Sequence, residues 1–302
     1  MQVSLSSVES REEGVIELFK QLSNLLKLRI GVTMMLTALV GMLVTPGQTL
    51  SGVQVLVLSF AVLISAGSAG AFNQYFEIDL DRVMKRTQNR PFVTGRFQKS
   101  PLWLLFIAAL LIAGIAPAAL MINTVAASYI FLGAFFYAII YTVWLKRRST
   151  MNIVIGGASG SFAVLAGAAA VDPSLGPVPV MLAVALFLWT PSHFWSLAIA
   201  KRQDYADVGV PMLPLVIGDQ KTAVVVLLNT LLLVGVSILP FFYGLSWIYL
   251  AGAVSGGGYF IYHNCRMLPD PSPKVAMMSF FASLLQLVLL LLGAVLDVLL
   301  LG

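Results

Sequence analysis

The chemistry-bearing residues of this chain cluster in two short stretches. The first reads Asn73-Gln74-Tyr75-Phe76-Glu77-Ile78-Asp79-Leu80-Asp81-Arg82-Val83-Met84-Lys85-Arg86-Thr87, followed by Asn89-Arg90-Pro91. On a helix continuing through this stretch, Asn73, Glu77 and Asp81 recur every fourth residue and line one face, while Asp79 points away. Hard oxygen donors converging on one face suit Mg²⁺, which takes one or two carboxylates and leaves its other positions to water and phosphate oxygens. Arg82, Lys85, Arg86 and Arg90 come directly after, able to bind the same phosphate oxygens. Carboxylate, metal, diphosphate and arginine in that order make a leaving-group site. A solvated helix of Asp–Lys pairs meeting anionic lipid is the plainer reading, but it gives Asn73 no role.

The second stretch runs from Trp189 to Pro214 and holds His193, Phe194, Lys201, Asp204, Tyr205 and Asp207. On a continuing helix His193, Lys201 and Asp204 share a face. An ionisable residue inside an apolar segment is a functional candidate; a histidine hydrogen-bonded to a neighbouring helix is the alternative for His193. Phe72, Tyr75, Phe76, Phe194 and Trp195 either line an apolar substrate path or pack against other helices and lipid.

The elements that must position these residues are membrane helices. Of 302 residues, 59% are hydrophobic and only 10% charged, against about 25% charged in soluble domains, and the mean hydropathy is +0.93. That excludes a soluble globular, disordered or nucleic-acid-binding protein. One cysteine, Cys265, excludes intrachain disulfides and Cys-rich metal sites, and reads as a small apolar residue at a helix end. Apolar runs of spanning length fall at 29–46, 53–74, 101–121, 124–145, 152–171, 178–200, 222–243, 246–263 and 275–299. Turn chemistry separates them, as at Pro46-Gly47 and Pro269-Asp270-Pro271.

All 18 Lys and Arg precede or open the first run or lie between alternate runs: 11–29, 82–99, 146–148, 201–221 and 266–274. The other connections have none. The positive-inside rule then puts the N-terminus in the cytoplasm and the C-terminus outside. The expected fold is an all-α polytopic membrane protein of nine transmembrane helices around a central cavity. It forms a single domain over 1–302, with a cytoplasmic amphipathic segment at 1–28 and cytoplasmic catalytic loops at 75–100 and 201–221. These loops follow runs two and six, a spacing that hints at duplication of a four-helix unit. The N-terminus lacks a secretory signal; Ser6 with Glu9, or Ser10 with Glu13, offers a capping box. His263 reads as interfacial, and Asp297 as near enough to the outer boundary to reach water.

The run Asn73, Glu77, Asp81, Met84, Arg86, Thr87, Arg90, Pro91 resembles the first aspartate-rich motif of the UbiA-type intramembrane prenyltransferases. Its Met-x-Arg-Thr-x2-Arg-Pro part is similar to one branch, the protoheme IX farnesyltransferases, as are His193, Phe194, Asp204 and Tyr205. Glu77 departs from the family's usual Asp. The resemblance covers nearly the whole chain. It implies transfer of the farnesyl group of farnesyl diphosphate to the vinyl group of haem B, with water added, giving haem O. It also implies Mg²⁺ as the cofactor, haem B as a substrate, and a place in the bacterial inner membrane among lipids. A haem-modifying enzyme or terminal oxidase is the implied protein partner. Asn73, Glu77, Asp81 and Asp204 would hold the metal, and Arg82, Lys85, Arg86 and Arg90 the diphosphate. Asn73, Asp81, His193 and Lys201 would be the catalytic group. A prenyltransferase for a hydroxybenzoate or quinone precursor is the nearest rival. A transporter is a remote one, since no apolar run carries a charge at its centre.

Overall fold

The computed structural model describes residues 16–301, so the capping boxes expected at Ser6–Glu9 and Ser10–Glu13 lie outside the described residues. The helices are α1 (Ile16–Leu25), α2 (Leu28–Leu43), α3 (Gly52–Phe76), α4 (Ile78–Val83), α5 (Pro101–Met121) and α6 (Thr124–Phe135, continued by a π-helix Phe136–Leu145). They continue with α7 (Asn152–Val171), α8 (Pro177–Ala200), α9 (Arg202–Ala206), α10 (Leu213–Ile217), α11 (Asp219–Ile238), α12 (Trp247–Met267) and α13 (Pro273–Leu301). There is no strand among the described residues. Seven helices are long and apolar enough to cross a membrane alone. The pair α1–α2, bent by 57°, makes an eighth if taken as one span. Helix α12 has 21 residues, but its glycines and polar side chains leave it outside that set.

Small residues let the helices approach closely. The buried face of α7 includes Gly156, Gly157, Ala163, Ala166, Gly167 and Ala170. A Cβ on Gly167 would lie 1.7 Å from the Ala38 carbonyl oxygen of α2, and one on Gly41 would lie 2.2 Å from the Val164 oxygen of α7. Lipid tails are as apolar as the side chains, so such contact and interhelical hydrogen bonds hold the bundle together. In the second half the hydrogen bonds form a chain. Asn229 Nδ2 and Thr230 Oγ1 of α11 donate to Ser192 Oγ of α8 at 2.7 and 3.0 Å, and Asn264 Nδ2 of α12 donates to Thr230 Oγ1 at 2.8 Å. Ser279 Oγ of α13 donates to Asn264 Oδ1 at 2.5 Å.

One expectation changes. Asp297 is 4% exposed; it accepts from the backbone N–H of Ser246 and Tyr249 at 2.9 and 3.1 Å and from the Ser246 hydroxyl. It caps the start of α12, whose free N–H groups supply the partners a buried carboxylate needs. His263 is 3% exposed and packs on Tyr259 and Tyr262 of its own helix, four residues from the end of α12.

The close approach of α2 and α7 gives a clean expectation. Gly167→Ala must force the helices apart and should lower stability by about 1–3 kcal/mol. Gly160→Ala on the same helix, with nothing within 4 Å of the added Cβ, should melt like the parent in a thermal scan in detergent. Equal melting of both variants would show that the contact does not matter.

Candidate active site

Helix α3 was expected to run on through Asp81. It breaks at Glu77, whose φ of −99° and ψ of 20° leave the helical region, and α4 restarts one residue later. The backbone bonds survive the break: Glu77 N–H donates to the Asn73 oxygen at 3.0 Å and Asp81 N–H to the Glu77 oxygen at 2.9 Å. The three side chains therefore keep fourfold spacing, and all three are buried, at 2%, 1% and 3% exposure. Asp79 points away, its side chain 61% exposed, and takes a bidentate pair of hydrogen bonds from Arg147 at 2.6 and 2.8 Å.

Each oxygen-bearing side chain on this face meets a base from a different part of the chain. Lys27 Nζ donates to Asn73 Oδ1 at 2.7 Å and to the Tyr137 hydroxyl at 2.8 Å. Lys146 Nζ donates to Glu77 Oε2 at 2.5 Å, and Arg90 Nη1 to Asp81 Oδ2 at 2.6 Å. Asn73 Nδ2 donates to Thr142 Oγ1 at 3.0 Å, which fixes the amide with its oxygen toward Lys27. Burial pushes the Lys27 ammonium down to about 7, with Arg90 adding to the shift.

The Met-x-Arg-Thr-x2-Arg-Pro stretch is a folding device for this arrangement. Met84 is buried in one cluster with Ile153, Ala198, Tyr205, Val210 and Met212, so it ties the first polar stretch to the second. The Thr87 hydroxyl donates to the Asp81 carbonyl at 3.1 Å, and Arg90 N–H to the Thr87 carbonyl at 3.0 Å. That turn brings the Arg90 guanidinium back onto Asp81. Arg86 reaches across to the Tyr205 hydroxyl at 3.1 Å and lies over its ring at 5.1 Å, with the Asp204 charge close enough to act on it. Phe92 packs edge-on against Tyr75 and Trp103, securing the loop to α5. Tyr75 and Trp195, which is 6% exposed, thus serve helix and loop packing.

Other expected members stand apart. Arg82, Lys85 and Lys201 are exposed, as is Arg86, which differs in its bond to Tyr205. Helix α8 ends at Ala200, and Lys201 leaves the helical region at φ −118°, ψ 32°. The expected common face of His193, Lys201 and Asp204 is therefore lost. His193 lies in the α8–α13 interface, stacked between Trp189 and Phe280 at 4.2 and 4.4 Å, with Nδ1 2.7 Å from Ser283 Oγ. Asp204 does not complete a three-carboxylate cage with Glu77 and Asp81; among the described residues no three acids or histidines are grouped as metal ligands.

Lys27, Tyr137, Thr142 and Lys146 escaped sequence reasoning. The two lysines read as topological charge, and three polar residues in one apolar run, Tyr137, Tyr141 and Thr142, were the available signal. They lie on the π-helical end of α6, where Lys146 N–H bonds the carbonyl five residues back, at Tyr141. Such a π-turn re-aims side chains and is frequent at functional sites.

The donor set fits a small hard cation. Two carboxylates and an amide oxygen share a buried face, and Glu77 Oε1 is buried with no hydrogen-bond partner among the described residues. An unpartnered buried carboxylate oxygen leaves lone pairs that a cation or a water can take. Two carboxylates are what Mg²⁺ takes when phosphate and water complete its shell.

Residues 34–296 match the UbiA prenyltransferase family. Protoheme IX farnesyltransferase 2 of Paramagnetospirillum magneticum is 53% identical over 283 residues, covering 94% of this chain and 98% of its own. Protoheme IX farnesyltransferase of Alkalilimnicola ehrlichii is 41% identical over 278 residues, covering 91% of each. Among solved structures, a digeranylgeranylglyceryl phosphate synthase superposes with a TM-score of 0.78 at 22% identity, over 93% of this chain and 99% of that one. A UbiA homologue from Archaeoglobus fulgidus, bound to DMAPP and Mg²⁺, gives 0.67 at 14% identity, over 89% and 99%.

The hydrogen bond from Arg147 holds Asp79 below the usual carboxylate range. A lowered folded-state pKa gives stability that is complete above the ordinary carboxylate value and is lost as pH falls through the lowered one. The melting difference between parent and Asp79→Asn, small because the pair is exposed, should be present at pH 7 and vanish at low pH. A difference that grows on acidification would contradict the assignment.

Proposed function

The chain belongs to the UbiA prenyltransferase family, and from that premise we propose that it transfers the farnesyl group of farnesyl diphosphate to the vinyl group of haem B, giving haem O and diphosphate. The observation that carries this is the buried Asn73–Glu77–Asp81 face with its ring of bases, joined through Met84 to the Tyr205 segment. The relatives named protoheme IX farnesyltransferase, similar along nearly their full length, support the choice of acceptor. Tyr205 of the second stretch meets Arg86 and Met84 of the first, which supports that branch over a hydroxybenzoate or quinone precursor.

In this reading Asn73, Glu77 and Asp81 hold Mg²⁺, with Asp204 approaching from the α9 side through Arg86. When bound, the metal supplies Lewis-acid stabilisation to the departing diphosphate. The chain's own residues do the rest. Arg86, Arg90 and Lys146 offer fixed positive charge where the leaving group gains negative charge, and Lys27 adds a hydrogen-bond donor. Arg82, Lys85 and Lys201, being exposed, steer diphosphate toward the site. Cleavage of the C1–O bond gives an allylic cation, and the terminal vinyl carbon of haem B attacks it. The resulting cation beside the porphyrin takes up water and loses a proton. Holding these steps among helices excludes stray water.

His193 belongs to the acceptor side. The Ser283 hydroxyl donates to the Phe280 carbonyl at 2.6 Å, so Ser283 Oγ accepts from His193 Nδ1–H and the Nε2 lone pair is left for the acceptor or the quenching water. His193 stands eight residues before Lys201, about 12 Å along α8.

The nine-span topology is part of the proposal, with α2 and α12 completing the set and the N-terminus cytoplasmic. The chain forms a single domain over 1–302, with the cavity between the helix ends opening to the cytoplasmic face of the bacterial inner membrane. A haem-modifying enzyme or terminal oxidase is the partner that would receive the product.

Purified protein in detergent, given farnesyl diphosphate, haem B and Mg²⁺, should form haem O, read by chromatography and mass. Asp81→Asn should lower kcat by about 10²–10³ in protein that still elutes as the folded species, and Asp79→Asn should stay within about twofold of the parent. Prenylation of another aromatic acceptor, with no haem O formed, would sink the proposal.

A further inference from the structure

The three side chains proposed to face the metal are already bonded one-to-one to bases. Lys27 sits on Asn73 at 2.7 Å, Lys146 on Glu77 at 2.5 Å and Arg90 on Asp81 at 2.6 Å. A base on a ligand oxygen competes for one of that side chain's lone pairs, and when charged it repels an approaching dication. We propose that Lys27, Lys146 and Arg90 are resident counter-ions, so that the chain holds divalent metal weakly by itself and tightly only together with diphosphate, whose oxygens receive the displaced bases. This rests on reading the Asn73–Glu77–Asp81 face as the metal–diphosphate site.

The backbone makes such an exchange practicable. Lys27 lies at the bend between α1 and α2 with φ of 48°, a left-handed conformation that residues other than glycine rarely adopt and that persists only where its surroundings impose it. Its Nζ is also held by the Tyr137 hydroxyl at 2.8 Å and lies 5.3 Å from that ring's centre. Tyr137 thus offers a second partner that remains when Asn73 is given up. Lys146 follows the π-turn and lies 5.7 Å from the Tyr141 ring. Arg90 is fixed by the Thr87 turn. A side chain released from its oxygen pivots on a fixed backbone, so its charged end stays beside the site. Diphosphate supplies acceptor oxygens for all three while the metal takes the carboxylates. Two carboxylates facing three bases are a poor trap for free Mg²⁺ and a good one for a metal–diphosphate complex.

The arrangement also separates two roles that a single affinity measurement would merge. A base acting only on diphosphate has no influence on metal binding in diphosphate's absence. A resident counter-ion weakens metal binding alone and strengthens it when diphosphate is present. The sign of the effect of its removal therefore reverses between the two conditions.

The test is equilibrium dialysis of the full chain in detergent micelles against Mn²⁺, with and without inorganic diphosphate, counting metal retained with the protein. For the parent, retained Mn²⁺ affinity should rise at least about tenfold when diphosphate is added. Lys27→Met and Lys146→Met should each tighten Mn²⁺ alone by about tenfold and lose most of the gain from diphosphate; Lys27→Arg should behave as the parent. If Lys27→Met, eluting and melting as the parent, binds Mn²⁺ alone no better than the parent does, the proposal is overturned. Should Lys27→Met fail to fold, Lys146→Met decides by the same criterion. Equal parent affinity with and without diphosphate overturns the counter-ion idea and leaves the metal site standing. A parent that retains no Mn²⁺ in either condition overturns both.

Discussion

Charge buried at the end of an apolar bundle has to be matched, and this requirement organises the structure. Glu77 and Asp81 are 1% and 3% exposed. Breaking such a pair by removing one partner leaves an uncompensated charge and costs about 3–5 kcal/mol. The matching bases come from the α1–α2 bend, the loop after α4 and the π-helical end of α6. Segments far apart in the chain therefore converge, and Arg86 meets Tyr205 across 119 residues. The oxygen-rich face and its bases are one electrostatic unit, and the helices must end where that unit requires.

The breaks in the long helices follow from it. Helix α3 yields at Glu77 and α8 at Lys201, both residues adopting non-helical angles with small positive ψ before a short helix resumes. Each break turns a transmembrane rod into a rod with a hinged polar tip, and the two tips meet through Met84 and Tyr205. Packing of small residues does the complementary task farther along the helices. With Gly41 and Gly167 in backbone contact across α2 and α7, the Lys27 end of α2 has little freedom to drift from the site. Rigid packing deep in the bundle and adjustable charge at its end are thus two parts of one design.

Helix positions were legible from sequence because apolar run length and basic loops report them directly: the expected runs 101–121 and 152–171 coincide with α5 and α7. The fourfold spacing of Asn73, Glu77 and Asp81 was legible too, since backbone bonding carries it across the break. Lys27 and Lys146 were not, because a basic residue at the end of an apolar run has the same sequence signature whether it faces lipid headgroups or a buried carboxylate. Asp297 was misread for a related reason. Distance from the chain's polar segments says little about burial when a neighbouring helix terminus supplies the partner. The hydrogen-bond chain through Ser192, Thr230 and Asn264 was invisible for want of any local pattern. Its members sit on three helices and make sense only once those helices touch.

The placement of the charged unit also explains the division of labour along α8. A diphosphate is strongly hydrated and an isoprenoid chain is not, so a site serving both belongs where a polar helix tip meets an apolar interior. The Tyr205 end of the α8–α9 pair faces the bases, whereas His193, deeper along the same pair, stands among Trp189, Phe194 and Phe280 with one serine for company. The proposed acceptor has the same two-sided character, a broad apolar ring with polar edges. A substrate of that kind can lie against the aromatic wall and still present its reactive carbon to the charged tip. The break at Lys201 separates the two: it ends α8 after the His193 wall, which packs on Phe280 of α13, and begins the short α9 that carries Tyr205.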